Sequence, residues 1–305
     1  MIAWLVAGQG AEHAGMGLEL AQAYPPAAVL WEQASEAARK DLRRMSELGG
    51  RSLLRTEYLQ PALTVVALSA ASFLLEEGVS PTVVLGHSAG EVGSLALSGH
   101  LSFEDACRLS AIRGRAMASA ARSKPGGMAV VRGSEATACD VVEYANNAGD
   151  IFRAGQTTEA THLISGDRAA LLAATSLESV ARLPVSGPWH SPLIEGASLE
   201  LRPTVESILG DGQGTTRWVS NETAEIGPTD AAETRELLLS QLTRPMRLHG
   251  AIERLFREGA TDLVVLGPHR ALRQILLHHL EEHPEVEVHS TSSLQDLRSV
   301  VRELA

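Results

Sequence analysis

The run Val83-Val84-Leu85-Gly86-His87-Ser88-Ala89-Gly90-Glu91 sets a Gly-x-Ser-x-Gly motif between a β-branched stretch and an Ala-rich one. A strand that turns sharply into a helix pushes the intervening hydroxyl out beyond the strand end. Glycines at both flanks let the two backbones close up. The first amides of the following helix have no intrahelical acceptor, so the Ala89 N–H is placed to stabilise an oxyanion. Ser88 is thus a candidate nucleophile. A structural turn is the alternative reading, because a chain with 27 glycines also produces the motif by chance.

A serine nucleophile needs a base, and 11 histidines are available. His190 lies in Ser186-Gly187-Pro188-Trp189-His190-Ser191-Pro192, a proline-bounded loop between a strand candidate and a helix, where a side chain can reach a cleft. A partly buried surface histidine is the competing reading. His87, adjacent to the serine, should point away from it and be packed or hydrogen-bonded. His279 and His283 stand four apart beside Glu281 and Glu282, but the helix is ending there in a charged tail, so no metal site is expected. Gly8-Gln9-Gly10 follows the first strand without the third glycine of a dinucleotide fingerprint, since that position holds His13. Two glycines around a polar amide could instead offer a backbone N–H to an oxyanion. Arg113 sits on a helix of Ala, Leu and Met. Facing inward, it requires either an anionic ligand, which its planar guanidinium can grip through two hydrogen bonds, or a structural glutamate.

The elements that must position these residues follow from periodicity. Short β-branched runs (Ile2–Val6, Thr82–Leu85, Met128–Val131, Thr161–Ile164, Arg217–Ser220 and Asp262–Leu266) alternate with longer helical patterns, which specifies an α/β fold. Pro61–Leu75 is apolar nearly all round and reads as a buried helix too short to cross a bilayer. Ser102 caps a helix with Asp105 three residues on, and further helices are expected at Leu193–Leu209, Ala231–Leu242, Arg270–Leu280 and Ser293–Leu304. Lys124-Pro125-Gly126-Gly127 breaks the rhythm. The next sixty or so residues read strand–helix–strand–strand–helix–strand. The expected organisation is a discontinuous large unit, 1–124 plus 188–305, with a small α+β unit inserted at 125–187.

Composition narrows the function classes. The 305 residues carry 26 Lys and Arg against 37 Asp and Glu, a formal charge of −11, which argues against a nucleic-acid surface. Two cysteines, Cys107 and Cys139, support neither a disulfide framework nor a four-cysteine zinc site, so a reducing compartment is expected. The apolar start Met1–Val6 has no basic segment before it and reads as a buried strand rather than a signal peptide. A soluble cytoplasmic protein is the expectation.

Taken in order, these residues resemble a family. Gly8-Gln9-Gly10, Gly86-His87-Ser88-Ala89-Gly90-Glu91, Arg113 twenty-five residues after the serine and His190 about a hundred after it are similar to the malonyl-CoA:acyl-carrier-protein transacylases. The related acyltransferase domains of polyketide synthases share the pattern. Gln60-Pro61-Ala62-Leu63, Ser165-Gly166-Asp167, Ser220-Asn221, Gln241-Leu242-Thr243-Arg244-Pro245 and Gly267-Pro268 extend it over essentially the whole chain. The resemblance implies a hydrolase-like α/β large subdomain with a parallel sheet and a ferredoxin-like small subdomain. It implies Ser88 as nucleophile, His190 as base, and the N–H groups of Gln9 and Ala89 as oxyanion hole. Arg113 would bind the acyl carboxylate, with His87 and Trp189 also at the substrate, and the Gln241 main-chain carbonyl would orient the histidine. The implied partners are a coenzyme A thioester and an acyl carrier protein, with no cofactor or metal, on a monomer. An arginine patch is expected at the cleft mouth to meet the acidic carrier protein. A serine esterase or thioesterase, or a transacylase for another extender unit, is the alternative. Here Ala7 replaces a frequent proline, His269 a frequent glycine, and Gly187-Pro188-Trp189-His190 departs from the usual tetrapeptide before the base. Trp189 would exclude an α-methyl branch from the acyl pocket unless Gly187 and Pro188 turn the indole away.

Overall fold

The computed structural model describes residues 1–209 and 214–305. After β1 (Ile2–Val6) come three helices that periodicity leaves unassigned: α1 (Leu18–Ala23), α2 (Pro25–Ala38) and α3 (Leu42–Leu48). Two of these are 6 and 7 residues long, too short to show a 3.6-residue repeat. α2 opens on two prolines, which resemble loop punctuation but are tolerated where a first-turn N–H has no partner. The buried helix α4 (Thr56–Glu76) begins five residues before Pro61 and encloses it, so it is 21 residues long rather than the short run expected. That length and composition would suffice to cross a bilayer, but 78% of its most apolar window is buried inside the protein, as in a core helix.

Next come β2 (Val83–Gly86), α5 (Gly90–Leu97) and α6 (Phe103–Ser123), the last capped as expected by Ser102, whose hydroxyl accepts from the Asp105 N–H. Then follow β3 (Gly126–Arg132), α7 (Glu135–Asn146), β4 (Ile151–Thr158), β5 (Thr161–Asp167), α8 (Arg168–Ala174) and β6 (Val180–Arg182). The return half runs through α9 (Glu195–Ile208), β7 (Arg217–Val219), α10 (Ala231–Ser240), β8 (Met246–Arg247) and α11 (Leu248–Arg257). It ends with β9 (Asp262–Leu266), α12 (Arg270–Leu280), β10 (Glu287–Ser290) and α13 (Leu294–Leu304). Short β8 and polar β10 escape a sequence reading because edge strands need little hydrophobicity.

Two sheets result. The first is wholly parallel in the order β10-β9-β1-β2-β7. Its strands alternate between two cores. Trp4, Val6, Val84 and Val264 pack toward the α4 side, whereas Ala3, Leu5, Leu85 and Val265 pack toward α11 and α12. The result is the α/β sandwich expected of short apolar strands buried on both faces. The second sheet is ordered β6-β3-β5-β4-β8, antiparallel except for the β4–β8 pair, and α7 and α8 cover one face. β8 comes from outside residues 125–187, so the return half of the chain lends a strand to this sheet.

The packing of α5 against β1 and β2 is the tightest constraint near the site. A Cβ on Gly86 would overlap the Gly90 backbone, and one on Gly90 would overlap the Val6 carbonyl. Both obstacles are main chain and cannot move aside. Gly90→Ala is therefore expected to lower stability by about 1–3 kcal/mol in urea unfolding. Gly196→Ala, in α9 with no atom near the added methyl, should instead raise it by about 0.4–1 kcal/mol. A Gly90→Ala variant as stable as the parent would refute this account of the turn.

Candidate active site

Ser88 sits between β2 and α5 with φ 52°, in the left-handed region that costs a non-glycine residue about 1–3 kcal/mol. Its main chain is clamped on both sides. The Ser88 N–H donates to Asn221 Oδ1 at 3.2 Å, the Asn221 amide donates to the Gly86 carbonyl, and Gln241 Nε2 donates to the Ser88 carbonyl at 3.0 Å. The backbone N–H groups of Ala89 and Gln9 have no protein acceptor among the described residues.

His190 also adopts a left-handed conformation, φ 57°, and is buried. Its Nε2 lies 2.8 Å from Ser88 Oγ, and its Nδ1 lies 2.9 Å from the main-chain carbonyl of Gln241. That carbonyl can only accept, so Nδ1 carries the proton and Nε2 presents a lone pair to the hydroxyl. Burial pushes the imidazole pKa down to about 3, against the opposing effect of the Gln241 carbonyl, with positive Arg113 nearby acting in the same direction as burial. No carboxylate among the described residues touches the ring, so the Gln241 carbonyl is what favours an imidazolium, and burial outweighs it.

Arg113 projects from α6 into the same interior. It donates from Nη1 to Gln60 Oε1 at 2.6 Å and from Nη2 to Gln241 Oε1 at 2.8 Å, while its Nε has no partner. It forms no direct ion pair among the described residues. Glu91, whose charge acts on Arg113, is bridged to it by Gln241, whose Nε2 also donates to the Glu91 carboxylate. Burial raises the Glu91 pKa to about 7 despite the Asn221 N–H and the positive Arg113, and burial lowers that of Arg113 to about 10. Gln60 continues the network through Thr56 to the Gln9 side chain.

A cleft of about 850 Å³ opens above this interior. Gln9 and His87 line it beside Val130, Thr157 and Leu163 of the second sheet. The His87 ring is half-buried on the wall of this cleft. Surrounding protein lowers its pKa to about 4, so it is neutral. Arg51, Arg55 and Arg122 line it together with Glu12 and Glu57, and Arg55 is paired with Glu57, so the expected arginine patch is interleaved with acids. Trp189 is not on the cleft wall. A tight turn, closed by the Trp189 N–H donating to the Gly187 carbonyl at 3.0 Å, folds the buried indole onto Gly187 and Ala121. Gly187 is what makes room for the ring there.

The structure thus gathers Ser88, His190, Gln241 and Arg113 in one polar interior and leaves Trp189 behind it. Sequence reasoning gave no role to Gln60, Glu91 or Asn221. Polar residues such as Gln60, at the entrance to an otherwise apolar helix, and Glu91, in the first turn of a buried Ala/Gly/Leu helix, carried the signal.

Residues 3–298 match the acyl transferase domain family. The chain is 32% identical over 281 residues to the malonyl CoA-acyl carrier protein transacylase of Bacillus subtilis (strain 168), spanning 89% of this chain and 88% of the relative. It is 31% identical over 281 residues to a polyketide synthase of Streptomyces halstedii, spanning 89% of this chain but 5% of that protein. The solved structure of the malonyl CoA-acyl carrier protein transacylase from Coxiella burnetii is similar at TM-score 0.92 and 26% identity, covering 99% of this chain and 97% of that one. With the match running unbroken through the serine turn, Arg113 and the His190 loop, the chain belongs to the acyl transferase domain family.

Proposed function

We propose that the protein transfers a malonyl group from coenzyme A to the phosphopantetheine thiol of an acyl carrier protein through an ester on Ser88. The observation that carries this reading is a buried, unpaired guanidinium in the same hydrogen-bonded interior as the Ser88–His190 pair. A plain esterase has no use for such a cation, whereas a malonyl group ends in a carboxylate that would occupy its free donors. Ser88 Oγ attacks the thioester carbonyl as its proton passes to His190 Nε2. The Gln9 and Ala89 N–H groups receive the carbonyl oxygen as it gains charge. The C–S bond then breaks and His190 returns the proton to the departing coenzyme A sulfur. The carrier thiol repeats the steps in reverse, its proton going to His190 and then back to Ser88 Oγ.

Gln241 orients the base with a carbonyl where many triads use a carboxylate. The buried indole of Trp189 supports the base loop from behind rather than lining the acyl pocket. The arginines lining the cleft suit the phosphates of coenzyme A and an acidic carrier surface, in a cytoplasmic setting. The two sheets support a reading as a hydrolase-like large subdomain (1–124 and 188–305) and a ferredoxin-like small one (125–187). The β3-α7-β4-β5-α8-β6 succession with spatial order β6-β3-β5-β4 is the arrangement that the latter name denotes.

Intact-protein mass spectrometry after incubation with a panel of acyl-CoAs is expected to show the mass of a malonyl group on the parent chain and none on Ser88→Ala. Loading that survives in Ser88→Ala would sink the assignment. Arg113→Ala should cut malonyl loading roughly ten- to a thousandfold and acetyl loading little, because truncating one partner of a buried charge pair strands the other. Equal losses for the two groups would make Arg113 structural. The His190 value lies below its ordinary 6.5, so the proton-accepting form persists as pH falls through 6.5. The rate of Ser88 loading should accordingly stay level from about pH 8 to about pH 6, and an acid limb centred at or above 6.5 would contradict this.

A further inference from the structure

Helix α11 carries His249 and Glu253 one turn apart, and their side chains meet His279 of α12 beside the β4–β5 turn. The cavity there, about 560 Å³, shares no lining residue with the cleft above Ser88. His279 is buried, and its Nδ1 lies 3.0 Å from the Ile275 carbonyl, four residues back on its own helix. That carbonyl only accepts, so the ring proton is on Nδ1 and Nε2 carries a lone pair, which accepts from the facing His249 Nδ1–H until an incoming ion displaces that proton. A backbone carbonyl holding the far nitrogen is the usual way a protein orients a metal-ligating imidazole. His279 Nε2 lies 2.9 Å from His249 Nδ1 and 4.0 Å from Glu253 Oε1, and the three ligand atoms all lie within 4.8 Å of one another. Zinc–ligand bonds of about 2.0–2.2 Å place neighbouring donors roughly 3–4 Å apart, so small side-chain movements suffice. The second Glu253 oxygen lies 3.6 Å from His283 Nε2, which steadies the carboxylate. Glu159, Glu281 and Glu282 on the cavity wall add negative charge that favours a dication.

We infer that His249 Nδ1, His279 Nε2 and a Glu253 carboxylate oxygen form a binding site for one divalent transition-metal ion of the zinc type, with a further coordination position open to the cavity. Two imidazoles and one carboxylate suit zinc and its transition-metal neighbours rather than calcium or magnesium, which take oxygen ligands. Another cluster, Asp262, Glu287 and His289, lacks this character. Both His289 nitrogens already face carboxylates, Asp262 at 3.2 Å and Glu303 at 3.1 Å, so the ring lies between two acids and neither nitrogen faces an open position. The sequence reading weighed His279 only against His283. Chain folding supplies its partners from thirty residues earlier. α12 also lends Ala271 and Ile275 to the cleft wall, and β4 lends Thr157, so an ion joining α11 to α12 would brace that wall from outside.

The test uses the full-length, tag-free chain with zinc chloride in titration calorimetry and thermal unfolding, and with cobalt(II) chloride in visible absorption. One equivalent of zinc should bind and raise Tm by a few degrees at saturation, and cobalt should show the d–d bands of a four- or five-coordinate ion. His279 is buried, so the variants are at the half-buried positions. His249→Gln and Glu253→Gln should each weaken zinc binding at least about 100-fold and remove the cobalt bands. Both should unfold at the parent temperature in the presence of chelator, and His289→Gln should bind zinc as the parent does. Absence of a saturable equivalent, or binding unchanged in both His249→Gln and Glu253→Gln, would overturn the site.

Discussion

Gln241 is the residue on which the site turns. Its main-chain carbonyl sets the tautomer of His190, its side-chain oxygen accepts from Arg113, and its side-chain nitrogen donates to both the Ser88 carbonyl and Glu91. Each of these groups is buried or strained, and a buried polar group without a partner costs about 1–3 kcal/mol. One residue thus relates the serine turn, the His190 imidazole, the cation and the interior acid. A shift of Gln241 would unseat them together. Such networks rigidify when every member is satisfied.

The backbone supplies the second constraint. Ser88 and His190 both occupy left-handed conformations, 102 residues apart in sequence, and meet at 2.8 Å. Strain of this kind persists only where the surroundings over-determine it. At Ser88 the surroundings are Asn221 and Gln241 together with the glycines that bring α5 onto β1. At His190 they are the Gly187–Trp189 turn, with the indole lodged against Ala121.

Electrostatics in this interior favour a neutral imidazole beside a lasting cation. Burial lowers the pKa of His190 to about 3 and raises that of Glu91 to about 7, while Arg113, lowered only to about 10, stays charged. The positive charge is answered by amide oxygens rather than by an adjacent carboxylate. That leaves an electrostatic vacancy of the sign a carboxylated acyl group carries.

The sequence alone determined what is local. The serine turn is legible because a strand, two glycines and a helix force its geometry within nine residues. The strands β1 and β9, the helix α12 and the Ser102 cap follow from period and capping chemistry, and Arg113 is conspicuous as a charge in an apolar helix. Only the tertiary structure decided which partners these residues meet. Arg113 finds Gln60 and Gln241 rather than a glutamate, partners 53 and 128 residues away, because the packing of α6 against α4 and the segment after α10 sets their distance. The direction of Trp189 depended on a turn that needs Gly187 to be bare, and His279 gained His249 by the packing of two helices. Pattern reports the face a residue prefers, whereas the identity of what lies opposite is fixed by long-range packing, which no local period encodes.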